Sequence, residues 1–238
     1  MRILVINPNT TASMTEKIGA AARRVACSGT QIIAVNPVSG PASIEGYYDE
    51  AISLAGLLGL IRSTPDVDAI VIACFDDTGL DAARCLTDKP VVGIGEAAYH
   101  FTSLLANNFT VITTLARSVP ALEHNLVRYG LAARCARVRA SNIPVLGLED
   151  PESDACERIG EEVRKAIDED RAEAIVLGCA GMTELSETLS QRYGLPVLDG
   201  VVCAVTLCEG LVRVGAKTSR LGGYAPPRFD KRAGAWRM

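Results

Sequence analysis

Two short apolar segments, one in each half of the chain, carry the same pattern of hydrophobic and polar positions. One runs from Asp68 to Cys74 and the other from Glu173 to Cys179; each is an acidic residue, an apolar run rich in Ile and Val, and a cysteine. Such runs are typical of buried parallel strands. Turn residues and a helical pattern follow each run. We therefore expect both cysteines at the carboxyl ends of strands, where open α/β sheets place their ligand sites.

The second half of the chain repeats the first at a nearly constant offset. Cys179 follows Cys74 by 105 positions, and other short motifs repeat at offsets of 106 and 107. A long offset held this steadily indicates two similar α/β units rather than a short-period solenoid. The sequence predicts an α/β fold of two similar lobes with mostly parallel sheets flanked by helices, related by a pseudo-two-fold axis, with the active site between them. We expect residues 1–95 plus 200–238 in the first lobe and 96–199 in the second.

The remaining segments alternate between strand and helix patterns. Ile159, Val163 and Ile167 stand at helical spacing and predict an amphipathic helix. The predicted strands beyond the two cysteine strands are residues 2–7, 31–36, 91–94, 109–114, 135–140 and 197–198. The predicted helices include residues 12–26, 45–62, 96–107, 117–129, 152–168 and 201–214, and another begins near Thr183 as N-cap. Residues 224–238 contain Pro and Arg and are assigned no element.

The composition narrows the class of protein. The chain has 238 residues, 48% hydrophobic and 22% charged, which is the balance of a soluble globular protein. Its net charge of −4 provides no basic surface, so we expect no nucleic-acid partner. No apolar run approaches the roughly 20 residues of a membrane helix, so we expect no membrane partner. The N-terminus enters a strand pattern directly and does not resemble a signal peptide, which favours a cytoplasmic location.

The sequence lacks the motifs that are typical of several classes of metal-binding, nucleotide-binding and hydrolytic proteins. The chain has eight cysteines but no C-x-x-C pair, so we expect neither a disulfide framework nor a metal site. His100 and His124, the two histidines, fall in predicted helices away from the strand ends. A G-x-G-x-x-G after the first strand, a P-loop and a G-x-S-x-G are all absent. No lysine stands at either cysteine strand end. The simplest interpretation is proton transfer without a cofactor.

Two cysteines facing one cleft could act as base and acid on opposite faces of one carbon. A thiolate is the reactive form of cysteine, and a helix N-terminus would lower its pKa. We therefore predict Cys74 and Cys179 as the catalytic pair of a racemase acting on a small molecule. Backbone N–H groups in the adjoining turns would stabilise the enolate-like intermediate. The residues expected to bind the substrate lie at or just after predicted strand ends: Asn7, Ser43, Phe75, Asp76, Thr114, Ala180 and Gly181.

Taken together, six motifs resemble those of the hydantoin racemases, including allantoin racemases, within the aspartate/glutamate racemase superfamily. The motifs are Asn7-Pro-Asn-Thr, Pro41-Ala-Ser-Ile-Glu-Gly, Cys74-Phe-Asp-Asp, Thr113-Thr-Leu, Gly178-Cys-Ala-Gly-Met and Leu195-Pro-Val-Leu-Asp-Gly. The resemblance extends to about residue 220. It implies a two-lobed α/β fold, no cofactor, both cysteines as acid and base, and a homo-oligomer. It also implies substrates with an acidic C–H in a five-membered cyclic diamide.

The same motifs separate branches of the superfamily. Glutamate racemases place Asn and Thr after the first cysteine and Thr and His after the second, whereas Phe75-Asp76 and Ala180-Gly181 stand here. Arylmalonate decarboxylases keep one catalytic cysteine. Maleate cis-trans isomerases keep both and stay an open alternative. A non-catalytic ligand-binding protein is the alternative from a different class. It would leave two cysteines at matched strand ends with no role beyond packing.

Overall fold

Two four-stranded parallel sheets flanked by helices form the protein, which confirms the predicted two-lobed α/β class. The computed structural model describes residues 1–150 and 153–228, so the last ten residues of the predicted tail lie outside the described part. The first sheet contains β1 (Arg2–Ile6), β2 (Gln31–Val35), β3 (Ala69–Ile72) and β4 (Val91–Gly93), in the order β2-β1-β3-β4. The second contains β5 (Phe109–Thr113), β6 (Cys135–Ala140), β7 (Ile175–Gly178) and β8 (Val197–Asp199), in the order β6-β5-β7-β8.

The two sheets have the same topology, which accounts for the repeat in the sequence. β1 lies between β2 and β3, and β5 lies in the same way between β6 and β7. The two strands that precede the cysteines, β3 and β7, are buried along their whole length. Parallel strands covered by helices on both faces require such continuous apolar runs. Cys74 and Cys179 therefore occupy corresponding positions in the two lobes.

Eight α-helices flank the sheets within the described part of the chain. They are α1 (Ala12–Val25), α2 (Tyr47–Ser63), α3 (Leu80–Leu86), α4 (Ile94–Ser103), α5 (Val119–Arg128), α6 (Ala155–Asp170), α7 (Ser186–Tyr193) and α8 (Gly200–Arg213). Short 3₁₀ turns cover Ala116–Ser118, Ala132–Arg134, Val145–Glu149, Ala180–Leu185 and Gly222–Tyr224.

Among the helix starts that differ from the sequence prediction, those of α2 and α7 have a clear local cause. α2 begins at Tyr47 because Gly46 precedes it with φ +132°, a conformation that only glycine adopts without strain. Thr183 does not cap a helix. It lies within the 3₁₀ turn that follows β7, and its hydroxyl donates a hydrogen bond to the carboxylate of Asp199. Asp199 is itself the cap of α8, accepting from the N–H groups of Val201 and Val202.

α4 and α8 pack against each other where the two lobes meet. A Cβ on Gly200, the first residue of α8, would lie 2.5 Å from the carbonyl oxygen of Ile94, the first residue of α4. Only glycine permits this approach. An aromatic contact also joins the lobes, since Phe75, in the loop after β3, lies 5.4 Å from Tyr99 on α4 between ring centroids. The lobes therefore share one continuous hydrophobic core.

Asp77 ties the loop that follows Cys74 to both lobes. Its buried carboxylate accepts hydrogen bonds from the N–H groups of Gly95 and Glu96 at the start of α4, at 3.0 and 2.8 Å. It also accepts one from the hydroxyl of Tyr129, at the end of α5, at 2.7 Å. Burial raises the pKa of Asp77 to about 7, and these hydrogen bonds oppose the increase. The loop is thus held at three points.

Replacing Tyr129 with Phe should destabilise the fold in a pH-dependent way. The Asp77 pKa is raised on folding, so stability falls as the pH rises from the unfolded-state value, 3.8, to about 7; above about pH 7 Asp77 is ionised in the folded protein, and the Tyr129 donor stabilises that charge. Losing a hydrogen bond to a charged group should cost about 1.5–3 kcal/mol at pH 8. At pH 6, where Asp77 is mostly protonated, the loss should be smaller. Urea unfolding at both pH values measures the difference.

Tyr193 provides a matched control for this variant. Its hydroxyl donates to the neutral carbonyl oxygen of Gly160 at 2.7 Å within the second lobe. Tyr193→Phe should cost about 0.5–1.5 kcal/mol at either pH. An equal loss at pH 6 and pH 8 for Tyr129→Phe would contradict a role for Tyr129 in holding the ionised form of Asp77.

Candidate active site

A cleft between the carboxyl ends of the two sheets contains both cysteines. From the first lobe it is lined by Asn7, Pro8, Asn9, Met14, Ile44, Ala73, Cys74, Phe75 and Asp76. From the second lobe it is lined by Thr113, Thr114, Ser118, Val145, Gly178, Cys179 and Ala180. Most of these residues lie at or just after the ends of the central strands β1, β3, β5 and β7. The topology therefore places polar turns from both lobes around one small space.

The cleft brings together most of the residues predicted from the sequence. Besides the two cysteines it includes Asn7, Phe75, Asp76, Thr114 and Ala180. Ser43 and Gly181 do not line it. Ile44 takes the place beside Ser43, and Gly181 lies directly behind Cys179, donating its backbone N–H to the sulfur. The roles of these residues toward a substrate stay predictions.

Contacts between the lobes close the rim of the cleft. The carboxylate of Glu45 accepts a hydrogen bond from the N–H of Val145 at 2.9 Å. On the same side Lys17 lies 3.1 Å from the Glu149 carboxylate. Both contacts join a first-lobe element to residues 145–149 of the second lobe. A ligand in the cleft would therefore be largely screened from water.

Cys74 is partly exposed to the cleft and lies beside a hydroxyl donor and an acidic side chain. The hydroxyl of Thr78 donates a hydrogen bond to its Sγ at 3.3 Å. Burial raises the pKa of the Cys74 thiol well above its usual range, and the negative charge of Asp76 raises it further. The Thr78 hydrogen bond acts in the opposite direction. α3 begins only at Leu80, so Cys74 is not at a helix N-terminus, and the expected lowering of its pKa is wrong.

Cys179 does begin a helical turn, yet burial outweighs that effect as well. It caps the 3₁₀ turn Ala180–Leu185, and the N–H of Gly181 stabilises the thiolate. Burial nevertheless raises the pKa of Cys179 to about 12. Both shifts therefore favour the neutral thiol over the thiolate. A thiolate formed there would be a stronger base than one in water, because nothing but the local donors solvates it.

Asn7 stabilises its own turn rather than presenting a free side chain. Its Nδ2 donates to Asn9 Oδ1 at 2.8 Å and to Thr15 Oγ1 at 3.0 Å, and its Oδ1 accepts from the N–H of Asn9 at 3.3 Å. Thr114 differs. It is buried against the cleft, and within residues 1–150 and 153–228 its hydroxyl makes no hydrogen bond. Thr114 is thus the better donor for a bound ligand.

Some lining residues were missed from the sequence. Val145 follows Pro144, which repeats Pro37 at the same offset as other motifs, so the repeat itself was a usable signal. Ser118 lies just beyond β5 in the 3₁₀ turn that leads to α5, a position typical of site-lining residues. Met14 comes from the helical interior of α1, and no local pattern distinguishes it from a core residue.

Neither a metal cluster nor a membrane helix occurs in the described ranges. Among residues 1–150 and 153–228, no three His, Cys, Asp or Glu side chains are grouped so that they could hold a metal ion. No helix in that part of the chain is both long enough and apolar enough to cross a bilayer.

Comparison with known proteins agrees with this geometry. The family model for Asp/Glu/Hydantoin racemase matches residues 3–208. The chain belongs to the Asp/Glu/hydantoin racemase family. Curated relatives in this family include a hydantoin racemase of Pseudomonas sp. (strain NS671), 48% identical over 99% of this chain and 95% of its own. Another is a hydantoin racemase of Rhizobium meliloti, 47% identical over 98% of both chains.

Solved structures resemble this chain to different degrees. An allantoin racemase from Klebsiella pneumoniae has a TM-score of 0.96 at 46% identity and covers 100% of this chain and 97% of its own. A glutamate racemase from Campylobacter jejuni has a TM-score of 0.62 at 17% identity, over 88% of this chain and 85% of its own. At that identity the likeness shows the two-lobed fold alone.

Proposed function

We propose that this protein is a cofactor-independent racemase of 5-substituted hydantoins, such as alkyl-hydantoins or allantoin. The observation that carries the proposal is the pair Cys74 and Cys179 at corresponding strand ends of one closed cleft. The names of the relatives that match nearly the whole chain support the same substrate class. The reaction inverts the carbon C5 of the ring, which carries the acidic C–H.

Each turnover would move one proton off C5 and another onto it from the opposite face. The thiolate of one cysteine takes the C5 proton, and the electron pair of the C–H bond passes into the adjoining carbonyl as an enolate. The thiol of the other cysteine then donates its proton to C5 and becomes the thiolate. The protein needs one thiolate and one thiol at the start, and it ends with the two exchanged. Catalysis in both directions follows from this symmetry.

The burial of both thiols fits this mechanism. Only one of the pair has to be ionised, and the contacts across the rim of the cleft limit the access of competing water. A buried thiolate with a raised pKa is a stronger base toward C5. The Thr78 hydroxyl and the backbone N–H of Asp76 donate to Cys74, and the N–H of Gly181 donates to Cys179; these donors limit the cost of the charge.

The turns around the cysteines would hold the ring in place. Its carbonyl and N–H groups need complementary donors and acceptors, and the seven substrate-binding residues proposed here lie at turns that offer both. They are Asn7, Ser43, Phe75, Asp76, Thr114, Ala180 and Gly181. Among these residues Thr114, directly after β5, offers a free hydroxyl as a donor to a ring carbonyl.

Three further features are proposed for the whole protein. An oligomer of identical chains is supported by α2, whose outward side chains Tyr47, Tyr48 and Ile52 are 60%, 77% and 45% exposed. A cytoplasmic location is supported by eight cysteines that are all free. The division into residues 1–95 plus 200–238 and residues 96–199 is supported by the two separate sheets.

Optical rotation of a single hydantoin enantiomer tests the activity. Enantiopure allantoin, an alkyl-hydantoin and an aryl-hydantoin should each be tried, and we expect rotation to decay to zero with at least one. Prior treatment with a metal chelator should leave the rate unchanged. No decay with any hydantoin, together with conversion of maleate, would indicate the isomerase of the same superfamily. Binding without conversion would indicate a ligand-binding protein.

Alkylation of the cleft gives a second measurement. Iodoacetamide should inactivate the protein slowly at pH 7 and faster as the pH rises, because the raised thiol pKa values keep the thiolate fraction low. A bound hydantoin should protect. Peptide mapping should locate the label on Cys74 or Cys179. Inactivation through another cysteine, without substrate protection, would contradict the proposed site.

A further inference from the structure

The sequence repeat continues past each cysteine and places a threonine at the same position in both lobes. Thr78 comes four positions after Cys74, and Thr183 comes four positions after Cys179. Both threonines are buried. Each sulfur also accepts a backbone N–H from the second residue after its cysteine. By symmetry, the two threonine hydroxyl groups should make the same contact in both lobes.

The structure breaks this symmetry at the threonine hydroxyl. Thr78 donates to the Sγ of Cys74 at 3.3 Å. Thr183 donates instead to the carboxylate of Asp199, the last residue of β8. A hydroxyl has one proton to donate. The hydroxyl of Thr183 is therefore not available to Cys179.

The two partners differ because the carboxylate that caps the following helix comes from a different place in each lobe. In the second lobe Asp199 accepts from two N–H groups at the start of α8. In the first lobe the two equivalent N–H groups at the start of α4 donate to Asp77, which belongs to the cysteine loop itself. Gly93 is the repeat equivalent of Asp199, at an offset of 106 (199 minus 93), and a Cβ there would collide with the carboxylate of Asp77. The same capping position is thus filled from the strand end in one lobe and from the cysteine loop in the other.

This exchange decides which acceptor each threonine finds. Asp199 stands at the strand end, where its carboxylate reaches the cysteine loop of its own lobe and takes the Thr183 hydroxyl. Asp77 has a left-handed backbone conformation, with φ +53°, and its carboxylate is held at the start of α4. Thr78 is then left with the sulfur of Cys74 as its acceptor.

A hydroxyl donor stabilises a thiolate more than it stabilises a thiol. Hydrogen bonds to an ionised group are roughly twice as strong as those between neutral groups. The sulfur of a neutral thiol is only a weak acceptor. The Thr78 hydroxyl therefore favours the charged form of Cys74 over the neutral form. That form is needed when Cys74 takes a proton, and it is produced when Cys74 gives one.

We propose that Thr78 is a positioning residue that acts on Cys74 alone, and that the two cysteines of the cleft are therefore unequal. Its hydroxyl orients the sulfur and stabilises the Cys74 thiolate, whereas Thr183 gives no such donor to Cys179. Proton transfer at the hydantoin face turned to Cys74 then depends on a side-chain donor that the opposite face lacks. For its effect on turnover this inference rests on the proposed function, but the contact itself can be tested without substrate.

The inequality is visible only when the two half-reactions are observed separately. Two enantiomers have equal free energies, so kcat/KM for racemisation is the same in both directions whatever Thr78 contributes. Deuterium exchange in variants with one cleft cysteine isolates each half. In Cys179→Ser, where Cys74 is the remaining base, adding Thr78→Val should slow exchange by about three- to tenfold. In Cys74→Ser, where Thr78 has no sulfur to act on, the same addition should not slow exchange.

Alkylation of the two thiols tests the contact without turnover. Thr78→Val should slow the reaction of Cys74 with iodoacetamide at pH 8 by about three- to tenfold, because its thiolate fraction falls while the remaining thiolate becomes more nucleophilic. The rate of Cys179 should not change. Thr78→Ser keeps a hydroxyl and should restore the Cys74 rate. Mass spectrometry of the two peptides gives each rate separately, so this measurement can fail while racemisation is observed, or succeed while it is not.

Thr102→Val is the matched control. Thr102 is a buried threonine of α4 outside the cleft lining, and its hydroxyl donates to the backbone carbonyl of Ala98. Its replacement should leave both alkylation rates unchanged. Equal slowing of Cys74 and Cys179 by Thr78→Val would overturn the inference, since it would mean a general disturbance of the cleft.

Two other outcomes would also overturn the inference. One is an unchanged Cys74 rate in Thr78→Val, and the other is a Thr78→Ser variant as slow as Thr78→Val. If Thr78→Val does not fold, Thr78→Ala removes the same hydroxyl without adding a methyl group, and the same difference between the two cysteines is required of it.

Discussion

Cys74→Ser should lose racemisation but still exchange the C–H of one hydantoin enantiomer for deuterium. Racemisation needs a proton donor on the face opposite to the base, and a serine hydroxyl is too weak an acid to replace the thiol. We expect the racemisation rate to fall by between about 100- and 10,000-fold. Cys179 still faces one side of C5, so the enantiomer whose C–H points to it should exchange in heavy water with retained configuration.

Cys179→Ser should show the mirror behaviour with the other enantiomer. Proton NMR in deuterated buffer, with each enantiomer and each variant, measures exchange, and optical rotation measures inversion. Cys27→Ser changes an exposed cysteine outside the cleft and should behave like the unmodified protein. Exchange of the same enantiomer by both cysteine variants would contradict the assignment of one cysteine to each face. So would racemisation by either variant at a rate near that of the unmodified protein.

The internal repeat and the apolar runs of the sequence predicted most of the fold and the centre of the site. The strands before Cys74 and Cys179 could be located because a strand buried on both faces must be continuously apolar, which is visible in the letters alone. Their equivalence in the two lobes followed from the constant offset. Proximity of the two cysteines then required only that similar sheets face each other at their carboxyl ends.

Other features depend on packing between distant segments and have no local signature. Met14 lines the cleft from α1, yet no local pattern distinguishes it from a core residue of that helix. The thiol pKa values were predicted in the wrong direction for the same reason. Depth of burial depends on the second lobe, and it outweighs the helix-terminus effect at Cys179.

Gly95→Ala should strongly destabilise the protein and disturb the loop that carries Cys74. A Cβ at this position would lie 2.4 Å from the carbonyl oxygen of Phe75 and 2.8 Å from Asp77 Oδ2. The first contact is with backbone, which cannot rotate away, so α4 or the loop has to move. Forced overpacking of this kind should lower the free energy of unfolding by about 3 kcal/mol.

The same displacement should reduce activity in the fraction that stays folded. Phe75 adjoins Cys74, and a shift of about 1 Å in a reacting group can cost about 100-fold in rate. Urea unfolding and optical rotation at a temperature well below the transition separate the two effects.

Gly210→Ala is the matched control for this glycine. Gly210 lies exposed within α8, and an added Cβ would meet nothing within 4 Å. There the alanine should stabilise the protein by about 0.5–1 kcal/mol, because it reduces the freedom of the unfolded chain without a clash. Unchanged stability in Gly95→Ala, with full racemase activity, would mean that the loop after Cys74 does not depend on its close contact with α4. The three hydrogen bonds that Asp77 accepts would then not be what positions Cys74.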